Sequence, residues 1–202
     1  MCAEIDLLYQ AALVWKELTE YEYIFTYGYK KHLYSVKLTF SADEFAHLAG
    51  FQYLTDLGLP RYNSKKILDK ILENKIKFED IIKGAQYISS VEPRLKALIN
   101  LKEIIDNEFK LFSYMPQFYP FTTTIKANYL ISSHLNSVSF VFIIQDSTDG
   151  KASCNYLCCS AFIKDTRDYE ANQQSRTILK KERIHKPTET SEILLDKLTT
   201  NK

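Results

Sequence analysis

The period of the hydrophobic pattern changes near residue 108, and this change restricts the folds that the chain can adopt. Before it, apolar residues recur at spacings of three and four, as at Ile5, Leu8 and Ala12, which is typical of amphipathic helices. After it, apolar and polar residues mostly alternate, which is typical of strands. Helices followed by a run of strands favour an α+β fold over an alternating parallel fold.

The first half predicts several helices around one early β-hairpin. Residues 21–40 are aromatic and β-branched on both sides of a turn at Lys30-Lys31, which favours a hairpin. Ser41-Ala-Asp-Glu44 is a capping box that begins the next helix, and Gly58-Leu59-Pro60 ends it. Further helices are predicted over residues 64–74, 78–88 and 91–107.

The second half predicts strands over residues 109–115, 123–134, 137–145, 153–164 and 176–185. The 137–145 strand is apolar on both faces and is expected to be covered on both sides. The most charged strand, 176–185, is expected at a sheet edge. The predicted fold is therefore one α+β domain over 1–186. Its mostly helical N-terminal half (about 1–108, with the early hairpin) is followed by an antiparallel β-meander of four to five strands (about 109–186), and 187–202 is a flexible C-terminal tail.

Charge and cysteine usage narrow the class of function. The net charge is +1, so binding of a polyanion must come from a local patch. No signal peptide is evident, and the longest apolar stretch, 138–144, is far too short to span a membrane. Four cysteines without a second Cys pair do not complete a zinc site. We therefore expect a cytoplasmic protein with half-buried or core thiols and no metal or other cofactor.

Known cofactor motifs are absent, since the chain contains no Walker, Rossmann, EF-hand or zincin pattern. Of the four histidines, His47 is the most informative, because it lies mid-helix close to Gly50. A glycine inside a helix costs about 1 kcal/mol relative to alanine, so it suggests that another backbone or a ligand comes close. At this point His47 is either a packed, hydrogen-bonded histidine or a functional one.

The segment Val36-Lys-Leu-Thr-Phe-Ser-Ala-Asp-Glu-Phe-Ala-His-Leu-Ala-Gly-Phe51 resembles the phage-associated barnase–EndoU–colicin–RelE-like nuclease domains, abbreviated PBECR. That group has a strand, a helix bearing Phe-x-His-Leu-x-Gly, further helices and an antiparallel sheet. Segments 126–131, 159–162 and 169–181 fit the same plan, so the resemblance covers most of residues 20–186. It implies a metal-independent RNase-like toxin of phage or mobile-element origin that cleaves RNA by acid/base catalysis.

The resemblance also implies roles for individual residues. RNA cleavage needs a base, an acid and donors around the charged phosphate. The implied acid/base residue is His47, with Lys126 stabilising the phosphate and the hydroxyls of Ser160 and Thr177 completing the catalytic set. The implied RNA-binding residues are Gln174, Lys180 and Lys181. Each has an ordinary alternative, such as a surface lysine, a sheet hydroxyl or a β-forming threonine.

Three functions therefore stay open. The first is an endoribonuclease. The second is a non-catalytic module on the same fold that binds nucleic acid or protein. The third is a regulatory partner that docks through its N-terminal helix. RNA is the expected partner, a cognate inhibitor protein is a further candidate, and no membrane association is expected.

Overall fold

The computed structural model describes residues 6–58, 63–146 and 154–199, which contain six α-helices, four short 3₁₀ or π segments and eight strands. The helices are α1 (Leu7–Leu18), α2 (Phe45–Leu48), α3 (Ser64–Leu72), α4 (Phe78–Ile81), α5 (Glu92–Ile99) and α6 (Leu101–Asp106). The strands are β1 (Tyr21–Tyr29), β2 (His32–Thr39), β3 (Lys110–Ser113), β4 (Tyr129–Ser133), β5 (Ser139–Gln145), β6 (Asn155–Ile163), β7 (Gln174–His185) and β8 (Thr190–Asp196). None of the helices in this part of the chain has the length and apolarity needed to cross a membrane.

The strands form a closed barrel. Neighbouring strands follow the order β1-β2-β6-β5-β4-β3-β7, and β1 pairs with β7 from Tyr21↔His185 to Gly28↔Thr177, which closes the ring of seven. The β2–β6 pair is parallel and the other pairs are antiparallel, so the barrel is mixed. The predicted fold, a helical half followed by an antiparallel meander of four to five strands, is therefore wrong.

The early hairpin accounts for this error. Both edges of an isolated hairpin carry backbone N–H and C=O groups that need partners. In this chain β1 satisfies one edge with β7, and β2 satisfies the other with β6. Alternation along a sequence predicts that a strand exists, but it does not identify the distant strand with which it pairs. The sequence pattern alone therefore places the hairpin with the helices that surround it in the chain.

The segment 187–202, expected as a tail, contains strand β8 over Thr190–Asp196. β8 pairs with β7 from His185↔Thr190 to Lys180↔Asp196. Because β1 lies on the other side, the charged strand β7 is paired on both sides there and is not the expected edge. Its charges are matched by neighbours: Arg183 donates to Asp106 (2.7 Å) and Glu192 (2.5 Å).

Two hydrophobic clusters lie on opposite faces of β3–β6. The main core joins the helices to the barrel, with Trp15 fully buried against Phe40 at 5.3 Å between ring centroids. The second cluster surrounds Tyr169, whose ring lies 5.3 Å from that of Phe142. Adjacent residues of β5 alternate between the two clusters, which confirms that this strand is covered on both faces.

Candidate active site

Glu170 contacts three polar side chains at one end of the sheet, where strand β4 ends. Its Oε1 accepts a hydrogen bond from Ser132 Oγ (2.6 Å) and contacts His134 Nε2 at 2.6 Å. Its Oε2 accepts from Lys110 Nζ at 3.0 Å. Lys110 of β3 and Ser132 of β4 are register partners, and His134 follows β4 directly. We call Lys110, Ser132, His134 and Glu170 the His134 cluster.

Hydrogen bonds keep Glu170 ionised. The ionised carboxylate in turn fixes the orientation of the His134 imidazole. Burial alone would raise the pKa of Glu170, but hydrogen bonds from Ser132, His134 and Lys110 outweigh it and lower the pKa to about 2. The carboxylate is therefore ionised at neutral pH and only accepts hydrogen bonds. His134 Nε2 must carry the hydrogen in this contact, so a neutral ring has its lone pair on Nδ1.

The side chains of Glu170 and His134 differ in solvent exposure, as an arrangement for proton transfer requires. The side chain of Glu170 is 19% exposed, whereas that of His134 is 53% exposed. A partly buried carboxylate that orients an accessible imidazole is a common arrangement for a general base. Lys110, also accessible, adds a positive charge next to the ring.

A cleft of about 340 Å³ opens between α5 and the segments 122–125 and 165–169. Arg94 lies over the rings of Tyr53 (5.1 Å) and Phe162 (5.7 Å) and donates from Nη2 to Tyr53 Oη at 3.2 Å. Arg167 lies 5.9 Å from the Tyr169 ring centroid. The hydroxyl-bearing side chains of the lining are Tyr53, Ser89, Ser90, Thr122, Thr123, Thr124 and Tyr169. We call this site the arginine cleft.

Two guanidinium groups among hydroxyls suit a phosphodiester, because guanidinium matches the geometry of phosphate oxygens. Asp165 also lines the cleft, where it pairs with Arg167 (Nη2 to Oδ2, 3.1 Å) and offsets part of the positive charge. Arg94 is held by aromatic rings and a phenol, and in the described part of the chain no carboxylate pairs with it.

The arginine cleft and the His134 cluster lie at the same end of the sheet. Ile163 of β6 lines the cleft and pairs with Ser139 of β5, which in turn pairs with Ser133 of β4. His134 is the next residue after Ser133. Two interstrand steps correspond to about 10 Å, so one bound strand of nucleic acid can reach both sites.

Gly50 of the Phe-x-His-Leu-x-Gly segment packs against the cleft wall. Its φ is +87°, and a Cβ there would lie 3.1 Å from Arg94 Cδ and 3.4 Å from the Ser90 carbonyl oxygen. Helix α2 ends at Leu48, so the prediction of a glycine inside a helix is wrong. The left-handed φ accounts for the glycine, and the close approach there involves the Arg94 side chain and the Ser90 carbonyl. The His47 side chain is exposed, and no hydrogen bond to its ring is formed within the described residues.

Lys126 and Ser160 do not line the arginine cleft, although residues close to them in the chain do. Lys126 is exposed and lines another cavity, while its carbonyl accepts from Cys159 Sγ at 3.4 Å. Ser160 is half-buried in β6 opposite Phe142. Residues close to them in the chain, Ile125 and Phe162, do line the arginine cleft. The structure therefore brings these segments together, whereas the predicted side chains are not part of the cleft lining.

The remaining predicted residues lie on β7. Thr177 is exposed, pairs with Gly28 and lines a third cavity. Gln174 Oε1 accepts from Arg176 Nη2 at 2.9 Å, and Lys180 forms an ion pair with Glu182 at 2.8 Å. In the described part of the chain the predicted catalytic set of His47, Lys126, Ser160 and Thr177 lines no common cavity.

Lys181 is 4% exposed and donates to the carbonyl oxygens of Ile105 (2.8 Å), Asp106 (2.9 Å) and Asn107 (2.5 Å). These carbonyls end helix α6 and have no partner within the helix. Burial lowers the pKa of Lys181 to about 8, opposed by the charges of Asp106 and Glu108. The ammonium is thus charged at neutral pH and caps the helix with all three N–H groups.

Sequence reasoning missed the His134 cluster and both arginines. His134 and Glu170 are 36 residues apart, so no local spacing relates them, and the position of His134 at a strand end is the only signal that it carries. Arg94 lies in a predicted helix, where an arginine is indistinguishable from the charged residues of a solvent-exposed helix face. Tertiary packing makes these residues neighbours.

The prediction of core or half-buried thiols is confirmed for the two cysteines of β6 and is wrong for Cys154, which precedes β6 and is exposed. Cys158 is buried and Cys159 half-buried, with Cys159 Sγ donating to the Phe142 carbonyl at 3.3 Å. Burial raises the pKa of Cys159 to about 12. Within the described ranges, no three His, Cys, Asp or Glu side chains are grouped so that they could hold a metal ion.

A comparison with protein families gives one match. The family model described as phage-Barnase-EndoU-ColicinE5/D-RelE like nuclease4, PBECR4, matches residues 7–198, nearly the whole chain. The comparisons with curated proteins and with solved structures found no match.

Proposed function

Because the chain belongs to the PBECR4 family of nucleases, we propose that it is a metal-independent endoribonuclease whose acid/base residues are in the His134 cluster. One observation carries this proposal. An exposed imidazole is held by an ionised carboxylate, beside a lysine and about 10 Å from a cleft with two arginines. These are the groups that metal-independent phosphodiester cleavage requires.

The proposed reaction uses the 2′-hydroxyl of RNA as the nucleophile. Nδ1 of neutral His134 takes the 2′-hydroxyl proton while the 2′-oxygen forms a bond to the neighbouring phosphorus. The bond from phosphorus to the 5′-oxygen breaks, and the Lys110 ammonium gives its proton to that oxygen. The products are a 2′,3′-cyclic phosphate and a free 5′-hydroxyl, and the proton returns from His134 to Lys110 through water.

Glu170 and the arginines support this step without exchanging protons. Glu170 fixes the ring orientation and stabilises the imidazolium that forms, since its low pKa keeps it ionised. Arg94 and Arg167 bind phosphates of the same strand in the arginine cleft. This local positive surface is what a chain of net charge +1 needs in order to bind RNA. DNA lacks the nucleophile and is not cleaved.

The family motif supports a second assignment of the base for the same function. His47 lies in Phe-x-His-Leu-x-Gly, is exposed, and is three residues from Gly50 at the cleft wall. In this version Lys126, Ser160 and Thr177 keep the roles implied by the resemblance. His134 is preferred because it has an orienting carboxylate, whereas His47 has none within the described residues.

The deciding experiment is incubation of the purified protein with total RNA in EDTA. The wild type is expected to cleave RNA equally with EDTA or with added Mg²⁺ and to leave 2′,3′-cyclic phosphate ends. His134→Ala is expected to be inactive, and His32→Ala, an exposed histidine at the β1–β2 turn, to be fully active. RNA binding without cleavage by the wild type would instead favour the non-catalytic module.

The same proposal extends to the biological setting. A phage or mobile-element RNase acts on cytoplasmic RNA and needs a cognate inhibitor in the cell that makes it. Expression of the wild type in bacteria is therefore expected to arrest growth and degrade RNA, and expression of His134→Ala is not. Equal growth of the two strains, with both proteins present, would contradict the toxin role.

A further inference from the structure

One edge of β7 has a gap between its two partners. β3 pairs with Gln174–Arg176 and β8 pairs with Lys180–His185 on this edge. Between them, Thr177 and Ile178 have no register partner on this side within the described part of the chain, while the Leu179 carbonyl accepts a hydrogen bond from the Lys197 N–H at 2.7 Å. A cavity of about 400 Å³ opens at the gap, with Thr177 and Ile178 in its lining.

The cavity combines positive charge with an apolar wall. Lys110, Arg176 and Lys197 supply accessible charge, and Lys181, which also lines the cavity, is bonded to the helix carbonyls. The apolar residues of the lining are Phe109, Leu111, Ile178, Leu194 and Leu195. Lys197 is exposed and has no ion pair within the described residues. Of the two acids in the lining, Asp106 pairs with Lys102 and Arg183, which leaves Glu108 as the main opposing charge.

Arg176 is held in a defined orientation at the rim. Its guanidinium lies 3.9 Å from the Tyr29 ring centroid, Nε donates to Ser113 Oγ at 2.9 Å, and Nη2 donates to Gln174 Oε1 at 2.9 Å. A fixed guanidinium loses little entropy on binding an anion. Its neighbours Ser113 and Gln174 are neutral, so they do not cancel its charge.

Lys110 connects this cavity to the His134 cluster. The same side chain lines the cavity and donates to Glu170 at 3.0 Å. A polyanion bound at His134 can therefore continue past Lys110 into the cavity. The cavity volume lies in the range of small-ligand sites, about 300–1,000 Å³.

We infer that this cavity is a subsite for one nucleotide of the RNA strand, beyond the two nucleotides that flank the cleaved bond and therefore out of reach of a dinucleotide. Its base packs on Phe109 and Leu195, which are both partly exposed, and its phosphate binds Arg176 and Lys197. The inference rests on the proposed function for the identity of the strand. It gives Thr177 a place in substrate binding at the gap rather than at the reacting phosphate, and Gln174 the role of holding Arg176.

The first test measures binding of adenosine 3′-monophosphate and uridine 3′-monophosphate by calorimetry, without turnover. The wild type is expected to bind one equivalent. Lys197→Glu, which reverses a rim charge, and Leu195→Trp, which fills the cavity, are each expected to weaken binding at least tenfold. Lys186→Glu is the matched control, because Lys186 is an exposed lysine outside the cavity. Thermal unfolding of each variant checks that it is folded.

The second test compares cleavage of a dinucleotide with that of a hexanucleotide. The wild type is expected to show a lower KM for the longer substrate, and Lys197→Glu to lose this advantage with kcat for the dinucleotide unchanged. Absence of mononucleotide binding, or equal weakening by Lys186→Glu, overturns the subsite. Binding without any effect on the hexanucleotide KM also overturns it, since the cavity then serves a free nucleotide.

The two proposals fail in different ways. Mononucleotide binding that is sensitive to Lys197→Glu, in a protein that cleaves no RNA, rejects the nuclease mechanism and leaves the cavity as a nucleotide site. RNA cleavage that depends on His134, without mononucleotide binding, rejects the subsite alone.

Discussion

His47 and His134 are both exposed histidines connected to the arginine cleft, but they differ in what holds them. His134 contacts Glu170 at 2.6 Å within a cluster that includes Lys110 and Ser132. His47 has no ring hydrogen bond within the described residues, and its segment meets the cleft through Gly50. The motif thus lies beside the arginine cleft, whereas the orienting carboxylate is the reason why His134 is the proposed base.

The largest effect is expected from removing each imidazole in turn. His134→Ala should lower kcat/KM for RNA by about 10²- to 10⁴-fold, the usual contribution of an acid/base group. His47→Ala should change it only a few-fold. Initial rates with a defined oligoribonucleotide measure both variants. The reverse pattern would move the base to His47 and reject the assignment made from the structure.

The next largest effect concerns the arginine cleft. Arg94→Ala should reduce kcat/KM by about 10- to 100-fold, mainly through a higher KM, as for loss of one charged hydrogen bond to a bound phosphate. Arg94→Lys should recover part of this, because charge remains but the guanidinium fork is lost. Lys96→Ala is the control on the same helix, since Lys96 pairs with Glu92 at the surface. Equal losses for Arg94→Ala and Lys96→Ala would mean that only general charge matters.

Glu170→Gln tests whether Glu170 positions the His134 ring. It should lower kcat by about 10- to 100-fold, because the base stays but its orientation is loosened.

Glu170→Gln should also change the acid dependence of stability. The folded-state pKa of about 2 lies below the ordinary value of about 4.3. The carboxylate therefore stabilises the fold above that value, and this contribution is lost as the pH falls through about 2.

Denaturant unfolding between pH 6 and pH 2 measures this prediction. The wild type should lose more unfolding free energy over that range than Glu170→Gln does. Identical pH profiles for the two proteins would show that the hydrogen bonds from Ser132 and Lys110 do not stabilise the ionised form.

The smallest effect is expected at Gly50, on the His47 side of the comparison. Gly50→Ala should destabilise the fold by about 1–2 kcal/mol, because an L-residue is strained at φ +87° and its Cβ would press on Arg94. Gly58→Ala is the control, since a Cβ there meets nothing within 4 Å. Chemical denaturation compares the two. Equal stability of both variants would indicate that Gly50 is not needed for the approach of Arg94.

Local patterns predicted the elements better than their arrangement. The strands over 109–115, 137–145 and 153–164 and the capping box at Ser41 follow from alternation and short-range hydrogen bonding, and they are present. The tail over 187–202 resembled a solvated segment because its residues are polar. β8 forms there because β7 offers a free edge, which is a property of the assembled sheet.

The sequence by itself determined that the chain contains both helices and strands and which nuclease family it belongs to, since periodicity and short motifs are local. Tertiary structure alone decided the barrel closure, the His134–Glu170 contact and the gap in β7. Each of these depends on strand register between residues far apart in the chain. A one-residue shift in register would turn the affected side chains to the opposite face, so no linear spacing encodes the site.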